Sequence, residues 1–177
     1  MLMEEGLDTG PILMQSQIEI GDEETAGELA DRLAVAGAAL LIETLDALDR
    51  QQIEPRIQDH AAATLAPRLT RDDGIIDWRQ EARRIFDRLR GLTPWPGVAS
   101  ALRGEPVKIL WGKPIDSQRH EKAAPGTFVG LVEGRLGVAC GGQSVFGIEL
   151  LQMPGRKALP ADVFIHGQRL EPGERFG

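Results

Sequence analysis

Val98-Ala-Ser-Ala-Leu-Arg-Gly-Glu-Pro-Val-Lys-Ile-Leu-Trp111 reads as two short strands about a tight turn. Val98–Leu102 and Val107–Trp111 are apolar runs of strand length, and Gly104-Glu105 supplies the glycine a hairpin tip favours. The texture continues downstream with Thr127–Val132, Leu136–Ala139 and Val145–Leu151, punctuated by Glu133-Gly134 and Gly141-Gly142. Five short strands in about 55 residues predict a small closed or partly closed β barrel, whose strands cover one another's edges. Pro160–Gly167 predicts a short helix, and Leu170-Glu-Pro-Gly-Glu-Arg175 an extended tail.

Upstream of Val98 the period changes. Asp77 can cap a helix from Trp78 to about Leu92, with Gln80 three residues on. Ala82, Ile85, Phe86 and Leu89 form its apolar stripe, and Arg79, Arg83, Arg84, Arg88 and Arg90 crowd the other side. Pro94-Trp-Pro-Gly97 stops it. Residues 51–70 lack a sustained period, carry Pro55 and Pro67, and read as a surface linker.

The first 50 residues have another character. Gly6-Leu-Asp-Thr-Gly-Pro11 is a turn, and Ile12–Ile20 has strand content, with Ile18 and Ile20 alternating with Gln17 and Glu19. Thr25-Ala-Gly-Glu28 matches a capping box ahead of a helix that carries Leu29, Leu33, Leu40, Leu41, Leu45 and Leu48. Gly37 either divides that helix in two or marks a close helix contact. A strand followed by an amphipathic helix is what the last unit of an α/β layer looks like, and one strand makes no stable sheet. The chain therefore reads as α+β in three parts: residues 1–50, a linker at 51–70, and residues 71–177 as a helix followed by a barrel.

Composition narrows the function classes. The 177 residues carry a net charge of −7 with 42% hydrophobic residues. The longest apolar run, Ala34–Ile42, has nine residues, about half of the roughly 20 a membrane helix needs, so no membrane span is expected. The start, Met1-Leu-Met-Glu-Glu, is acidic where a signal peptide is basic, and with the lone Cys140 it fits a reducing cytoplasm. The charge is divided unevenly. Residues 1–70 hold 14 acidic and 4 basic side chains, a net −10, whereas residues 71–177 hold 13 and 16, a net +3. A basic module in an acidic protein is compatible with a polyanionic partner; solvated surface is the plainer alternative.

No local motif supports a P-loop, a nucleophile elbow, a dinucleotide site or a zinc site, and no metal is expected. His60, His120 and His166 are scattered. Asp8 is the acid of interest, because a glycine-flanked turn can present a carboxylate to a crevice; alternatively, it bonds only its own turn. Trp78 and Trp95 read as packing anchors rather than base-stacking platforms.

Six segments then occur in one order: Met3-Glu-Glu-Gly-Leu-Asp-Thr-Gly-Pro-Ile-Leu13, Asp22-Glu-Glu-Thr-Ala-Gly27, Leu40-Leu-Ile-Glu-Thr-Leu45, Gly74-Ile-Ile-Asp-Trp78, Pro94-Trp-Pro-Gly97 and Leu170-Glu-Pro-Gly-Glu-Arg175. Together they resemble the methionyl-tRNA formyltransferase family from the first residues to the last. The resemblance implies a Rossmann-like formyltransferase domain, a linker and an OB-like C-terminal barrel. It implies formyl transfer from 10-formyltetrahydrofolate to the amino group of initiator methionyl-tRNA, in the cytoplasm. It makes Asp8 the catalytic aspartate, and Glu4, Glu5, Gly6, Leu7 and Asp8 the loop beside the folate. The charge pattern nominates Arg79, Arg83, Arg84, Arg88, Arg90, Lys108, Lys113, Arg156 and Lys157 for the tRNA; no protein partner is indicated.

The family's other catalytic groups, an Asn and a His in an N-x-H element followed by Ser-Leu-Leu-Pro, have no counterpart here, since the sequence contains no Asn. Residues 1–50 thus match only the end of the catalytic domain, and no turnover is expected from this polypeptide alone. A tRNA-binding barrel without catalysis and a folate-dependent enzyme acting on another amine are the competing readings.

Overall fold

A computed structural model gives the arrangement of residues 1–116 and 123–177. They form two compact units, Met1–Arg68 and Leu69–Gly177.

In the first unit the capping box forms as written. Thr25 Oγ1 accepts from Glu28 N at 3.3 Å, and Glu28 Oε2 accepts from Thr25 N at 2.9 Å, which opens α1 (Ala26–Asp49). Gly37 neither divides the helix nor marks a contact: α1 is continuous, and a Cβ at Gly37 would meet nothing within 4 Å. The strand expected over Ile12–Ile20 is reduced to one bridge, with Ile12 and Arg56 exchanging N–H···O bonds of 2.8 and 2.9 Å. Alternating isoleucines make a strand only beside a neighbour that takes the successive N–H and C=O groups, and among the described residues only Arg56 does so. Residues 51–68 are irregular apart from a 3₁₀ turn at His60–Ala62, capped by Asp59. Arg56 and Gln58 tie this segment to the first residues of the chain.

The second unit is a sheet with two helices. Its strands are β1 (Val98–Leu102), β2 (Glu105–Ile115), β3 (Phe128–Val132), β4 (Arg135–Ala139), β5 (Val145–Gln152) and β6 (Leu159–Pro160). All pairings are antiparallel in the order β1-β2-β5-β4-β3, with β6 paired to β5. Two-residue left-handed turns join β1 to β2 at Arg103-Gly104 (φ 53° and 81°) and β3 to β4 at Glu133-Gly134 (φ 51° and 76°). The first tip lies one residue earlier than expected. The third is Gly142-Gln143 rather than Gly141-Gly142, because Gly141 turns inward to other partners.

Of the closed or partly closed barrel expected from the five strands, the closed form is not observed. Among the described strands β1 and β3 do not pair, so the ladder is open. The tail lies between these two edges instead. Phe128 N donates to Glu174 O at 2.7 Å, Phe176 N to Gly126 O at 2.8 Å, and Gly177 N to Ala101 O at 2.9 Å. The edge groups are satisfied by the last residues of the chain, and at Ala99 O by Ile76 N at 2.9 Å, rather than by a ladder between β1 and β3. Arg103 clamps the arrangement through two bonds to Glu174, of 2.6 and 2.7 Å.

The helix expected from Trp78 also changes. α2 spans Ala82–Gly91, four residues later. A helix opening at Trp78 would send Ala82 N–H to the Trp78 carbonyl. Here Ser144 Oγ accepts from Ala82 N at 2.8 Å, and Gly141 N donates to Trp78 O at 3.0 Å and to Gln80 O at 2.9 Å. A side chain on Gly141 would overlap the Arg79 carbonyl, so this docking requires a glycine. Trp78 is buried, with Nε1 donating to Ser100 Oγ at 2.9 Å. The apolar stripe of α2 is as expected: Ala82, Ile85, Phe86 and Leu89 are buried on β2 and β5. A third helix, α3 (Ala161–Gln168), packs Phe164 into the core beside Phe128, Phe146, Ile148 and Leu151.

Candidate functional site

The loop of Glu4 to Asp8 is exposed, and Asp8 adopts a left-handed backbone, φ 55°, a conformation that costs a residue with a Cβ about 1–2 kcal/mol. Gln58 holds it there. Its Nε2 donates to Asp8 O at 2.9 Å and to Gly10 O at 2.6 Å. Gly10 is buried, and a Cβ on it would overlap the Leu2 carbonyl, so the turn also depends on glycine at this position. The Asp8 carboxylate does not bond its own turn. Among the described residues it has no hydrogen bond or ion pair, and the main chain of Glu4, Glu5, Gly6 and Leu7 makes no main-chain hydrogen bond. The loop is a held backbone with its polar edge and one carboxylate left open.

Residues Arg79 to Arg90 do not form one cationic face. Arg79 lies before α2 and is tied to Asp77, with Nε to Oδ1 at 2.8 Å. The Arg79 side chain is the main reason the Asp77 carboxyl is lowered to about 2. Arg83 pairs with Asp87 at 3.3 Å and lies over the Phe86 ring, 5.6 Å from its centre. Arg90 pairs with Asp87 at 3.0 Å, and Arg88 donates through Nε (2.7 Å) and a terminal nitrogen to Asp73 O. Arg84 has no ion pair among the described residues, but Asp77 and Asp87 line the same hollow. Helical spacing places Asp87 four residues after Arg83 and three before Arg90, on the face of these arginines, but it could not show that Arg88 reaches back to the Asp73 carbonyl.

Other cations gather elsewhere. Lys108 on β2 is in register with Ala99 on β1 and with Gln152 on β5. Gln152 Nε2 donates to Arg156 O at 2.8 Å, which brings the Arg156-Lys157 turn to the same end of the sheet. Lys113 lies further along β2, opposite Gly147. A groove of about 590 Å³ runs between Arg71, Pro94, Trp95, Pro96 and Lys108. Trp95 is 55% exposed, so of the two tryptophans read as packing anchors only Trp78 is one. Pattern could not separate them, because Trp78 is buried through Ser100 on β1.

Among the described residues no group of three or more His, Cys, Asp and Glu side chains could hold a metal, and no helix is long and apolar enough to cross a membrane. His120 lies outside the described residues. His60 opens the 3₁₀ turn, and His166 Nδ1 lies 2.7 Å from Asp162 O on α3.

Comparison with known proteins then places the chain. The family model for formyl transferase, C-terminal domain, matches residues 68–169, and that for formyl transferase matches residues 1–45. The chain belongs to the formyl transferase family. As a formyl transferase it is similar to the methionyl-tRNA formyltransferase of Solibacter usitatus, 43% identical over 177 residues, covering 100% of this chain and 55% of the relative. It is also similar to that of Anaeromyxobacter dehalogenans, 44% identical over 170 residues, covering 96% and 54%. The chain thus spans about half the length of the curated relatives it matches. Among solved structures, HypX from Aquifex aeolicus in complex with tetrahydrofolic acid matches with a TM-score of 0.63 at 16% identity, over 92% of this chain and 28% of that one. The N-formyltransferase from Helicobacter canadensis matches at 0.61 and 15%, over 82% and 52%. These two likenesses concern the fold, which for this formyl transferase is mixed helix and antiparallel sheet.

Proposed function

We propose that this chain is the Asp-loop and tRNA-binding part of a methionyl-tRNA formyltransferase, working in the cytoplasm with 10-formyltetrahydrofolate as donor and initiator methionyl-tRNA as acceptor. The observation that carries it is similarity of about 43% along the whole chain to an enzyme of that name. In this reading residues 1–50 are the end of a Rossmann-like catalytic domain, 51–70 a connection, and 71–177 an OB-like module. The tail that bonds both β1 and β3 supports an OB-like ring.

The donor supplies a formyl carbonyl for the methionyl amine to attack; the bond from that carbon to the folate nitrogen then breaks, and tetrahydrofolate leaves with its nitrogen taking up the proton that the methionyl amine gives up. This chain's part is positional and electrostatic. The open main-chain edge of Glu4–Leu7 pairs with the donor's polar rim. The Asp8 carboxylate orients and charge-compensates the family's imidazole while the amine loses its proton and an oxyanion develops. Gln58 and Gly10 keep the loop in shape, and the basic end of the sheet holds phosphates of the acceptor.

The test uses a chimera in which the preceding part of the Solibacter usitatus relative is fused ahead of Met1. The 177-residue chain alone formylates charged initiator tRNA no faster than a protein-free control. The chimera turns over, and Asp8→Asn in it loses on the order of 10² to 10⁴ in rate with tRNA affinity unchanged. A folded chimera without activity rejects the assignment, and normal turnover of Asp8→Asn reduces Asp8 to a turn residue.

A further inference from the structure

We propose that the groove between Trp95, Arg71 and Lys108 is a stacking and phosphate subsite for an unpaired nucleotide of single-stranded RNA. The inference deepens the reading that residues 71–177 carry the tRNA surface, and rests on it.

Three observations converge. The first is the indole itself. Trp95, the largest apolar side chain of its loop, is 55% exposed and lines the groove, so its ring is open to a ligand there. The loop that presents it is tethered at both ends to the close of α2. Thr93 Oγ1 donates to Leu89 O at 2.7 Å, Gly97 N donates to Leu92 O at 2.9 Å, and prolines flank the indole on either side. A ring on so constrained a backbone loses little freedom on binding.

The second is charge. Arg71 and Lys108 line the same groove, and among the described residues neither has an ion pair and no acidic side chain lines it. The α2 hollow is the opposite case: its Arg84 and Arg88 share the lining with Asp77 and Asp87, which weakens its field for an anion. The third is placement. Lys108 is in register with Gln152, which bonds the Arg156 carbonyl, so the Arg156-Lys157 turn lies at the end of the sheet that carries Lys108.

Together these select the occupant. Cations along a groove take a phosphodiester backbone, and an indole face takes a base without reading its edge. A base within a duplex is already stacked on both faces, so the ring suits an unpaired nucleotide. The subsite is tolerant of sequence, and it orients an RNA end or loop that these cations attract.

The test titrates the full chain with a short oligoadenylate, a blunt RNA duplex and tRNA at several salt concentrations, following intrinsic tryptophan fluorescence. Trp78 is buried and Trp111 half-buried, so quenching on oligoadenylate addition reports mainly Trp95. The expected result is quenching by oligoadenylate and not by the duplex. Read for the variants by the anisotropy of fluorescein-labelled oligoadenylate, which needs no indole, Trp95→Ala weakens binding about tenfold or more, and Trp95→Phe restores most of it. Arg71→Ala and Lys108→Ala each lower the magnitude of the log K against log salt slope by about 0.7. Absence of quenching, or a folded Trp95→Ala that binds oligoadenylate as the parent does, overturns the subsite while tRNA binding persists. Failure of the parent chain to bind tRNA even at low salt overturns instead the reading beneath it.

Discussion

Cys140 shows how one side chain reports its surroundings. The thiol is 3% exposed, its Sγ lies 3.4 Å from Val138 O, and burial pushes its pKa up to about 12. The thiolate is the reactive species, so at pH 8 the folded chain should react with a disulfide reagent on the order of 10³-fold more slowly than the denatured chain. Comparable rates would show the site open to solvent. The linkage has a definite sign. The folded state holds this proton more tightly than the unfolded state, so the contribution is complete below the ordinary value of 9.0 and is lost as pH climbs toward 12. The sequence alone allowed only a lone cysteine in a reducing compartment. Asp8 was legible as an unusual turn acid, but its left-handed backbone and unbonded carboxylate depend on Gln58, 50 residues away.

The two long helices have the same capping signal and different outcomes. At α1 the box is self-contained within Thr25–Glu28, so it forms as read. Thr25→Ala should cost α1 about 0.5–2 kcal/mol, seen as lost far-UV helicity; unchanged helicity would mean the cap is dispensable. Bonds from Thr25 hold the Glu28 carboxyl below its ordinary value. Their stabilisation is therefore present above the ordinary glutamate range and lost as pH falls through the lowered value; Thr25→Ala removes the hydroxyl and keeps the main-chain N–H, so it should reduce that loss only in part. At α2 the Asp77–Gln80 signal is equally good, yet the helix waits for Ala82. Its first N–H goes to Ser144, 62 residues on, and Gly141 takes the carbonyls of Trp78 and Gln80. The five strands expected after Gly97 were legible to within a few residues because alternation and left-handed tips are local properties, whereas Ile12–Ile20 did not form a strand and β6 was not foreseen.

Across the second unit the largest difference is the open sheet closed by its tail. Phe176 is 2% exposed and meets Trp78 edge-on with ring centres 6.1 Å apart, while Arg103 holds Glu174. Phe176→Ala should therefore cost about 3–5 kcal/mol, measured by urea unfolding followed through tryptophan fluorescence; a loss below 1 kcal/mol would show the tail to be an accessory. Composition, helix and strand periods, turn chemistry and the ordered family segments could all be read from residues near one another in the chain, since each depends on sterics and hydrogen bonds within a turn or two. The open ladder, the late start of α2, the docking of Arg88 on the Asp73 carbonyl and the exposed Trp95 could not. The first three are settled by partners brought in by folding: the tail for the sheet edges, Ser144 and Gly141 for α2, and the Asp73 carbonyl for Arg88. Trp95 lies open on a groove shared with Lys108. The physical reason is that backbone groups, charges and ring faces are satisfied by whichever partner is nearest in space, and sequence distance does not measure that.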